Sequence, residues 1–143
     1  MKILFLGDVV GNSGCSKITN NLLSQIKLNK IDFVIVNGEN SDQSGVGLTK
    51  DICQDFFNCG VNVITTGNHV WDQKDIMNFI DKESRLLRPK NLFEPAPGNG
   101  FEIYTTSKNF KIGVLNLMGN VFMKKCDDVF QTAKKFLNNY KLK

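Results

Sequence analysis

Three short apolar segments, each followed by a loop of glycine and polar residues, constrain the fold of this chain most strongly. They occupy residues 3–6, 32–36 and 61–65, and amphipathic segments separate them. Uninterrupted apolar strands are typical of parallel sheets that are buried on both faces. The alternation of strand and helix therefore predicts an α/β fold with a mainly parallel sheet.

Helices are predicted between the strands, because apolar residues recur there at spacings of three and four. The first helix follows a loop over residues 8–13. The second is predicted to be capped by Thr49 and to stop at Gly60, since these residue types favour the two ends of a helix. A third helix is predicted from the apolar residues Ile76, Phe79 and Ile80.

The second half of the chain is predicted to form a hairpin and a last helix. Residues 100–106 and 111–117 flank a Ser-Lys-Asn turn, which favours an antiparallel pair of strands. Residues 127–139 have helical spacing of apolar side chains. We expect a further strand after this helix, because strand and helix alternate in the first half.

Length and composition predict one domain over residues 1–143, since a chain of this size forms a single core. No apolar run approaches the roughly 20 residues of a membrane span, and no leader peptide is recognisable. We therefore expect a cytoplasmic protein that has no membrane partner. Its four cysteines form no C-x-x-C pair, so neither a zinc knuckle nor a dithiol motif is predicted.

Polar side chains beside glycine follow each of the three predicted strands. They are Asp8 after the first strand, Glu39 and Asn40 after the second, and Asn68 and His69 after the third. The carboxyl ends of parallel strands meet at one edge of a sheet, where ligands bind. Carboxylate, amide and imidazole groups are ligands of divalent metals. The sequence therefore predicts a polar active site at this edge.

Other phosphate-binding motifs do not match the glycine spacing. Gly7, Gly11 and Gly14 give G-x-x-x-G-x-x-G, which differs from the dinucleotide fingerprint. Cys15 stands where the lysine of a Walker loop would follow. The G-x-S-x-G elbow of serine hydrolases is absent from the sequence.

His69 is the one histidine of the chain, and its place directly after a strand favours a role as acid or base. Trp71 and Asp72 are interpreted as structural residues. Trp71 is expected to pack under the loop, and Asp72 is expected to cap the helix that follows.

Four motifs resemble the YmdB-like family of bacterial calcineurin-type metallophosphoesterases. They are Gly-Asp-Val-Val-Gly at 7–11, Asn-Gly-Glu-Asn at 37–40, Gly-Asn-His-x-Trp-Asp at 67–72 and Arg-Pro-x-Asn at 88–91. The resemblance implies the metallophosphatase αββα sandwich, here mainly its N-terminal parallel-sheet half with flanking helices. It also implies a single metallophosphoesterase domain that is truncated at its C-terminus.

The same resemblance implies a metal-dependent phosphodiesterase that hydrolyses 2′,3′-cyclic nucleotides with water activated by two iron or manganese ions. Asp8 resembles a ligand of one ion, Glu39 the carboxylate that bridges both, Asn40 a ligand of the first ion and Asn68 a ligand of the second. His69 matches the catalytic histidine, which would protonate the leaving ribose oxygen. The implied partner is a small cyclic nucleotide or phosphodiester, or a substrate derived from RNA.

The chain departs from the family in its second half. Members are nearly twice as long and supply further metal-binding histidines there, whereas no histidine follows His69 here. We therefore expect about two protein ligands for each metal and a second sheet that is largely missing. Three hypotheses follow: a half-enzyme completed by a complementing C-terminal half, a homo-oligomer that completes the site, and a non-catalytic nucleotide-binding or regulatory module.

Overall fold

A computed structural model describes residues 1–139, which form two sheets packed face to face, with two helices on the outer face of the first sheet. The predicted α/β sandwich with a parallel sheet is confirmed. The elements in chain order are β1 (Ile3–Leu6), α1 (Gly11–Asn29), β2 (Phe33–Asn37), α2 (Lys50–Asn58), β3 (Val63–Thr65), two short 3₁₀ helices (Lys74–Asn78 and Ile80–Lys82), β4 (Leu86–Leu87), β5 (Phe101–Thr105), β6 (Lys111–Leu115) and α3 (Val129–Asn139). The further strand expected after the last helix lies outside the described residues.

The first sheet contains β1, β2, β3 and β4 in chain order, and all neighbouring strands are parallel. Alternate side chains of a strand point to opposite faces of the sheet. Val34 and Ile64 therefore pack in the core that the sheet forms with α1 and α2, whereas Phe33 and Val63 lie on the opposite face. Both faces of the central strands are buried, as their apolar sequences predict.

The second sheet pairs β5 with β6 in antiparallel orientation and covers only part of the first sheet. Ile112 and Val114 of β6 pack against apolar residues of β2, β3 and β4. The predicted antiparallel pair is confirmed as this sheet, whereas the expectation that most of the second sheet is missing stays a prediction. The last helix contacts the outer face of this sheet, where the rings of Phe101 and Phe136 lie 5.3 Å apart.

Strand β1 lies at the edge of the first sheet and is less buried than its sequence predicts. Ile3 is 46% exposed and Phe5 is 60% exposed. The prediction of a strand buried on both faces is wrong here, because the second sheet packs on β2–β4. An apolar pattern fixes the strand, but burial depends on which distant elements cover it.

Two predicted helices differ from the structure. The first begins at Gly11 rather than after the loop 8–13. The predicted third helix is instead two 3₁₀ helices, because the backbone at Phe79 has φ −133° and leaves the helical path between them. Ile76 and Ile80 are nevertheless buried, so the apolar spacing identified the core residues and not the type of helix.

Thr49 caps α2 as predicted, and its removal is expected to destabilise the fold. The Thr49 Oγ1 atom accepts a hydrogen bond of 3.4 Å from the backbone N–H of Ile52. We expect Thr49→Ala to lower the free energy of unfolding by about 1 kcal/mol in urea titrations, because an N–H at the helix start loses its partner. Thr49→Ser keeps the oxygen and should retain most of the stability. Equal losses in both variants would contradict this role.

Candidate active site at the carboxyl edge of the parallel sheet

Main-chain hydrogen bonds join the loops that follow β1 and β2 to the ends of the neighbouring strands β2 and β3. The Val9 N–H donates to the Asn37 carbonyl over 3.1 Å, and the Gly38 N–H donates to the Thr65 carbonyl over 3.0 Å. These bonds continue the sheet beyond the ends of its strands. The loops that carry the predicted site residues are therefore held together by backbone contacts.

Asp8 and Asn40 are brought into direct contact, as expected for residues at neighbouring strand ends. The Asn40 Nδ2 atom donates to the Asp8 Oδ2 atom over 2.6 Å. A metal ion binds an amide through its oxygen, because the nitrogen carries two protons and has no free lone pair. Simultaneous coordination by Asp8 and Asn40 would therefore require the Asn40 amide to turn its oxygen toward the ion.

The carboxylate of Glu39 is only half satisfied by hydrogen bonds. Its Oε1 atom accepts from Asn37 Nδ2 over 3.3 Å, and its backbone N–H donates to Asn37 Oδ1 over 3.2 Å. Its Oε2 atom is buried and has no hydrogen-bond partner within residues 1–139. A buried oxygen without a partner carries a desolvation cost, so this atom is a strong candidate for contact with a cation. The orienting role of Asn37 was not predicted from the sequence.

Gly67 allows the Glu39 carboxylate to lie against the backbone that leads to Asn68. A Cβ atom added at Gly67 would lie 2.5 Å from Glu39 Cδ and would overlap the carboxylate oxygens. Only glycine fits this close approach. The side chain of Asn68 is half-buried and makes no hydrogen bond to any other residue in the range 1–139.

His69 contacts Asp72 in the turn after β3. Their Nδ1 and Oδ2 atoms lie 2.5 Å apart, and each side chain is about one-third exposed, at 32% and 35%. The expectation that Asp72 caps the following helix is wrong, because that helix begins after Gln73 and lacks a side-chain cap. Trp71 packs against the core as predicted.

Asn116, at the end of β6, supports the same edge from the second sheet. Its Nδ2 atom donates to the Thr66 carbonyl over 2.8 Å and to the Leu87 carbonyl over 2.9 Å. Asn116 thereby fixes the backbone immediately before Gly67. Its place after a late strand was the one sequence signal for this role.

Some of the donor atoms in this candidate site are ones that a hard divalent cation prefers. Asp8 and Glu39 contribute carboxylate oxygens, which such ions prefer, and one of these oxygens is buried without a partner. Within the part of the chain that the structure describes, however, no three His, Cys, Asp or Glu side chains form a group that could hold a metal ion. The described residues therefore fit part of a metal site.

No cysteine is among the residues of this candidate site. Cys53 and Cys59 are buried, and all four thiols are free. Burial raises the pKa of the Cys53 thiol above its usual range, which disfavours the thiolate. None of the helices within residues 1–139 combines the length and the hydropathy needed to cross a membrane.

Comparison with known proteins supports the resemblance found in the motifs. The family model described as YmdB-like protein matches residues 4–143. The chain is 39% identical over 137 residues to a protein of Bacillus subtilis (strain 168) named 2′,3′-cyclic-nucleotide 2′-phosphodiesterase, and the match covers 96% of this chain and 51% of that protein.

Two solved structures have the same fold over almost the whole chain. A hypothetical protein from Thermus thermophilus matches with a TM-score of 0.90 and 30% identity, over 99% of this chain and 54% of the other. A structure titled a novel phosphatase, from Mycoplasma pneumoniae, matches with a TM-score of 0.89 and 33% identity, over 99% and 52%. The chain spans about half the length of each of these relatives.

Proposed function

Because this chain belongs to the YmdB-like protein family, we propose that it carries part of the active site of a phosphodiesterase. The observation that carries the proposal is the buried, unpartnered Oε2 atom of Glu39 at the edge where the loops of three strands meet. A carboxylate held in this state gains a partner when a cation binds beside it. The family relationship and the geometry therefore favour the same chemistry.

Asp8, Glu39, Asn40 and Asn68 would hold two divalent ions, with iron or manganese as the expected metals. Glu39 is the residue we assign to both ions, and the contact between Asp8 and Asn40 supports their sharing of one. When bound, such ions supply Lewis-acid stabilisation of a phosphodiester and a water of lowered pKa. The chain itself contributes the arrangement of carboxylates that attracts them.

His69 would act on the leaving group. In the proposed reaction water adds to phosphorus, the bond between phosphorus and the ribose 2′ oxygen breaks, and the imidazolium form of His69 gives its Nε2 proton to that oxygen. The product is a 3′-phosphate. One proton of the attacking water replaces the proton that His69 donates, so the imidazolium is restored. His69 has the partial exposure that contact with a substrate requires.

The substrate class we propose is a 2′,3′-cyclic nucleotide, as in the name of the Bacillus subtilis relative. An end of RNA that carries the same cyclic phosphate is the second candidate. The expected location in the cytoplasm stays a prediction.

The remaining metal ligands would come from a complementing polypeptide that resembles the second half of the relatives. Within residues 1–139 the outer edge of β1 pairs with no strand, and Ile3 and Phe5 are exposed beside it. On the other face of β1, a groove of about 610 Å³ runs along α1 and is lined by Leu4 and Leu6. An edge strand with both faces partly open is suited to accept a further strand.

A non-catalytic nucleotide-binding or regulatory module is the second candidate function. The absence of a three-ligand metal group within residues 1–139 favours it, because transition-metal sites commonly use three or four protein ligands. Such a module would bind a cyclic nucleotide without turnover, whether or not a chelator is present.

We expect Mn²⁺-dependent hydrolysis of 2′,3′-cyclic AMP when the purified chain is mixed with the second half of the Bacillus subtilis relative. His69→Ala should lower kcat by about 10²–10⁴ in the mixture, since a general acid contributes on that order. EDTA should abolish turnover, and thermal unfolding should show that the variant remains folded.

Three other outcomes would contradict parts of this proposal. Turnover by the chain alone as an oligomer would indicate that copies of the chain complete the site. Binding of the nucleotide without turnover, unaffected by EDTA, would favour the non-catalytic module. Turnover that survives His69→Ala would remove His69 from the reaction.

A further inference from the structure

We propose that Asp72 is a positioning residue that keeps the proton of the neutral His69 ring on Nδ1 and directs Nε2 toward the substrate. The inference rests on the proposed function only for its catalytic consequence. The hydrogen bond from His69 to Asp72 exists in the chain itself. Its effect on which ring nitrogen is protonated can be measured without turnover.

The contact between the two side chains determines which ring nitrogen carries the proton. The Nδ1 atom of His69 and the Oδ2 atom of Asp72 are 2.5 Å apart, close enough for a charge-assisted hydrogen bond. An ionised carboxylate has no proton to donate and can only accept. Nδ1 must therefore be the donor, which leaves the lone pair of the neutral ring on Nε2.

The backbone of the turn places these two side chains together. The Asp72 N–H donates to the His69 carbonyl over 3.1 Å, and the Val70 N–H donates to the Gly67 carbonyl over 3.2 Å. Hydrogen bonds between residues three apart close tight turns and bring the flanking side chains near each other. The ring is thus oriented by the same loop that carries Gly67 against Glu39.

Within the described residues, Asp72 neither caps a helix nor makes a second side-chain hydrogen bond. It does not cap the following 3₁₀ helix, whose first residue is Lys74. Within residues 1–139 its carboxylate makes no hydrogen bond except the one to His69. Asp72 is about one-third exposed, and its side chain bonds only His69 among the described residues. We therefore expect Asp72 to act through His69.

The positioning role follows from the proton balance of the proposed step. When the imidazolium gives its Nε2 proton to the leaving oxygen, the ring that remains is neutral and protonated at Nδ1. This is the form that the Asp72 carboxylate stabilises by accepting from Nδ1. Asp72 therefore orients the imidazolium and stabilises the neutral, Nδ1-protonated ring that remains after proton transfer. It does so without contacting the substrate.

The sole histidine of the chain makes the proposal directly measurable. In ¹⁵N-labelled protein, two-bond ¹H–¹⁵N spectra recorded where the ring is neutral should show a protonated Nδ1 and an unprotonated Nε2. Asp72→Ala should move the proton largely to Nε2, the form that free histidine favours. Asp55→Ala removes an exposed carboxylate that makes no hydrogen bond within residues 1–139 and should leave the spectrum unchanged.

Kinetics then separate positioning from a merely structural effect. In the complemented assembly, Asp72→Ala should lower kcat about tenfold or more and leave KM near the parent value, because the proton transfer and not substrate binding is impaired.

A ring that keeps its proton on Nδ1 in Asp72→Ala, or one that already carries it on Nε2 in the parent chain, would overturn the proposal. A proton that moves while kcat stays unchanged would also overturn it. If the parent assembly shows no turnover, the proposed function fails, and the spectra alone decide whether Asp72 holds the ring.

Discussion

A Gly67→Ala variant is expected to bind Mn²⁺ at least about tenfold more weakly than the parent chain while unfolding at nearly the same temperature. The added Cβ atom would lie 2.5 Å from Glu39 Cδ, so the carboxylate must move away from the loop. Disturbing the groups that hold a metal ligand in position commonly weakens metal binding by about 10–100-fold. The fold should tolerate the change, because the end of a flexible side chain is what moves.

The expected stability has a further physical reason. In the parent chain the Glu39 Oε2 atom is buried without a partner, which costs free energy when no cation is present. Displacement of the carboxylate toward solvent relieves that cost and offsets the strain of the added methyl group. The variant should therefore separate metal binding from folding.

Gly119→Ala provides the matched control for this experiment. A Cβ atom at Gly119 would meet no other atom within 4 Å, so the same substitution adds a methyl group in open space. Titration of Mn²⁺ followed by electron paramagnetic resonance measures the affinity, and thermal unfolding measures stability. Parent-like affinity in Gly67→Ala, or a loss of stability far larger than in Gly119→Ala, would show that Glu39 is not the group affected.

The location of the candidate site was predictable from sequence because it depends on strand direction. Once the apolar segments define parallel strands, the residues after them must share an edge of the sheet. The contact between Asp8 and Asn40, 32 residues apart, follows from that rule. No similar rule indicated how much of β1 is covered. Phe5 is exposed because the second sheet packs on β2–β4, which is a long-range outcome.

The supporting residues of the site were harder to predict. Asn116 bonds a carbonyl 50 residues earlier in the chain, and no local pattern reports such a contact. Asp72 was assigned to a helix cap because aspartate is common there, whereas the turn after β3 directs it back to His69. Residue type and spacing identified the side chains that can bind a metal ion or transfer a proton. The tertiary structure determined which of these side chains contact each other.

Arg88→Ala is expected to lower the free energy of unfolding by about 3 kcal/mol or more, the largest loss of stability that we predict. Arg88 is 2% exposed, and its guanidinium donates to the carbonyls of Pro89, Ala96 and Pro97 over 3.0–3.2 Å. It also pairs with Glu94 over 2.8 Å. Removal of this side chain leaves a cavity, and three carbonyl acceptors, one in a buried contact and two in partly buried contacts, lose this donor.

The residues that Arg88 binds form the loop between β4 and β5. The loop joins the two sheets, so its disorder would loosen the packing of the second sheet on the first. Arg88→Lys is the matched variant, because it keeps the charge and most of the volume. One ammonium group cannot replace the planar fork that reaches three carbonyls, so Arg88→Lys should lose a smaller but clear part of the stability. Urea titrations of the three proteins measure both losses.

Substitution of Glu94 separates the contribution of the Arg88–Glu94 ion pair from that of the packing of Arg88. Hydrogen bonding to Arg88 is the main cause that lowers the Glu94 pKa from its ordinary value near 4.5 to about 2. A carboxylate whose pKa is lowered in the folded state adds stability at pH values above its pKa in the unfolded state, and that stability is lost as the pH falls toward 2.

Because Glu94 is 54% exposed, solvent screens the ion pair, and Glu94→Gln should lower the free energy of unfolding far less than Arg88→Ala at pH 7. The difference between Glu94→Gln and the parent should shrink between pH 4.5 and pH 2. If Glu94→Gln were as destabilising as Arg88→Ala, the ion pair and not the hydrogen bonds to the three carbonyls would stabilise the loop.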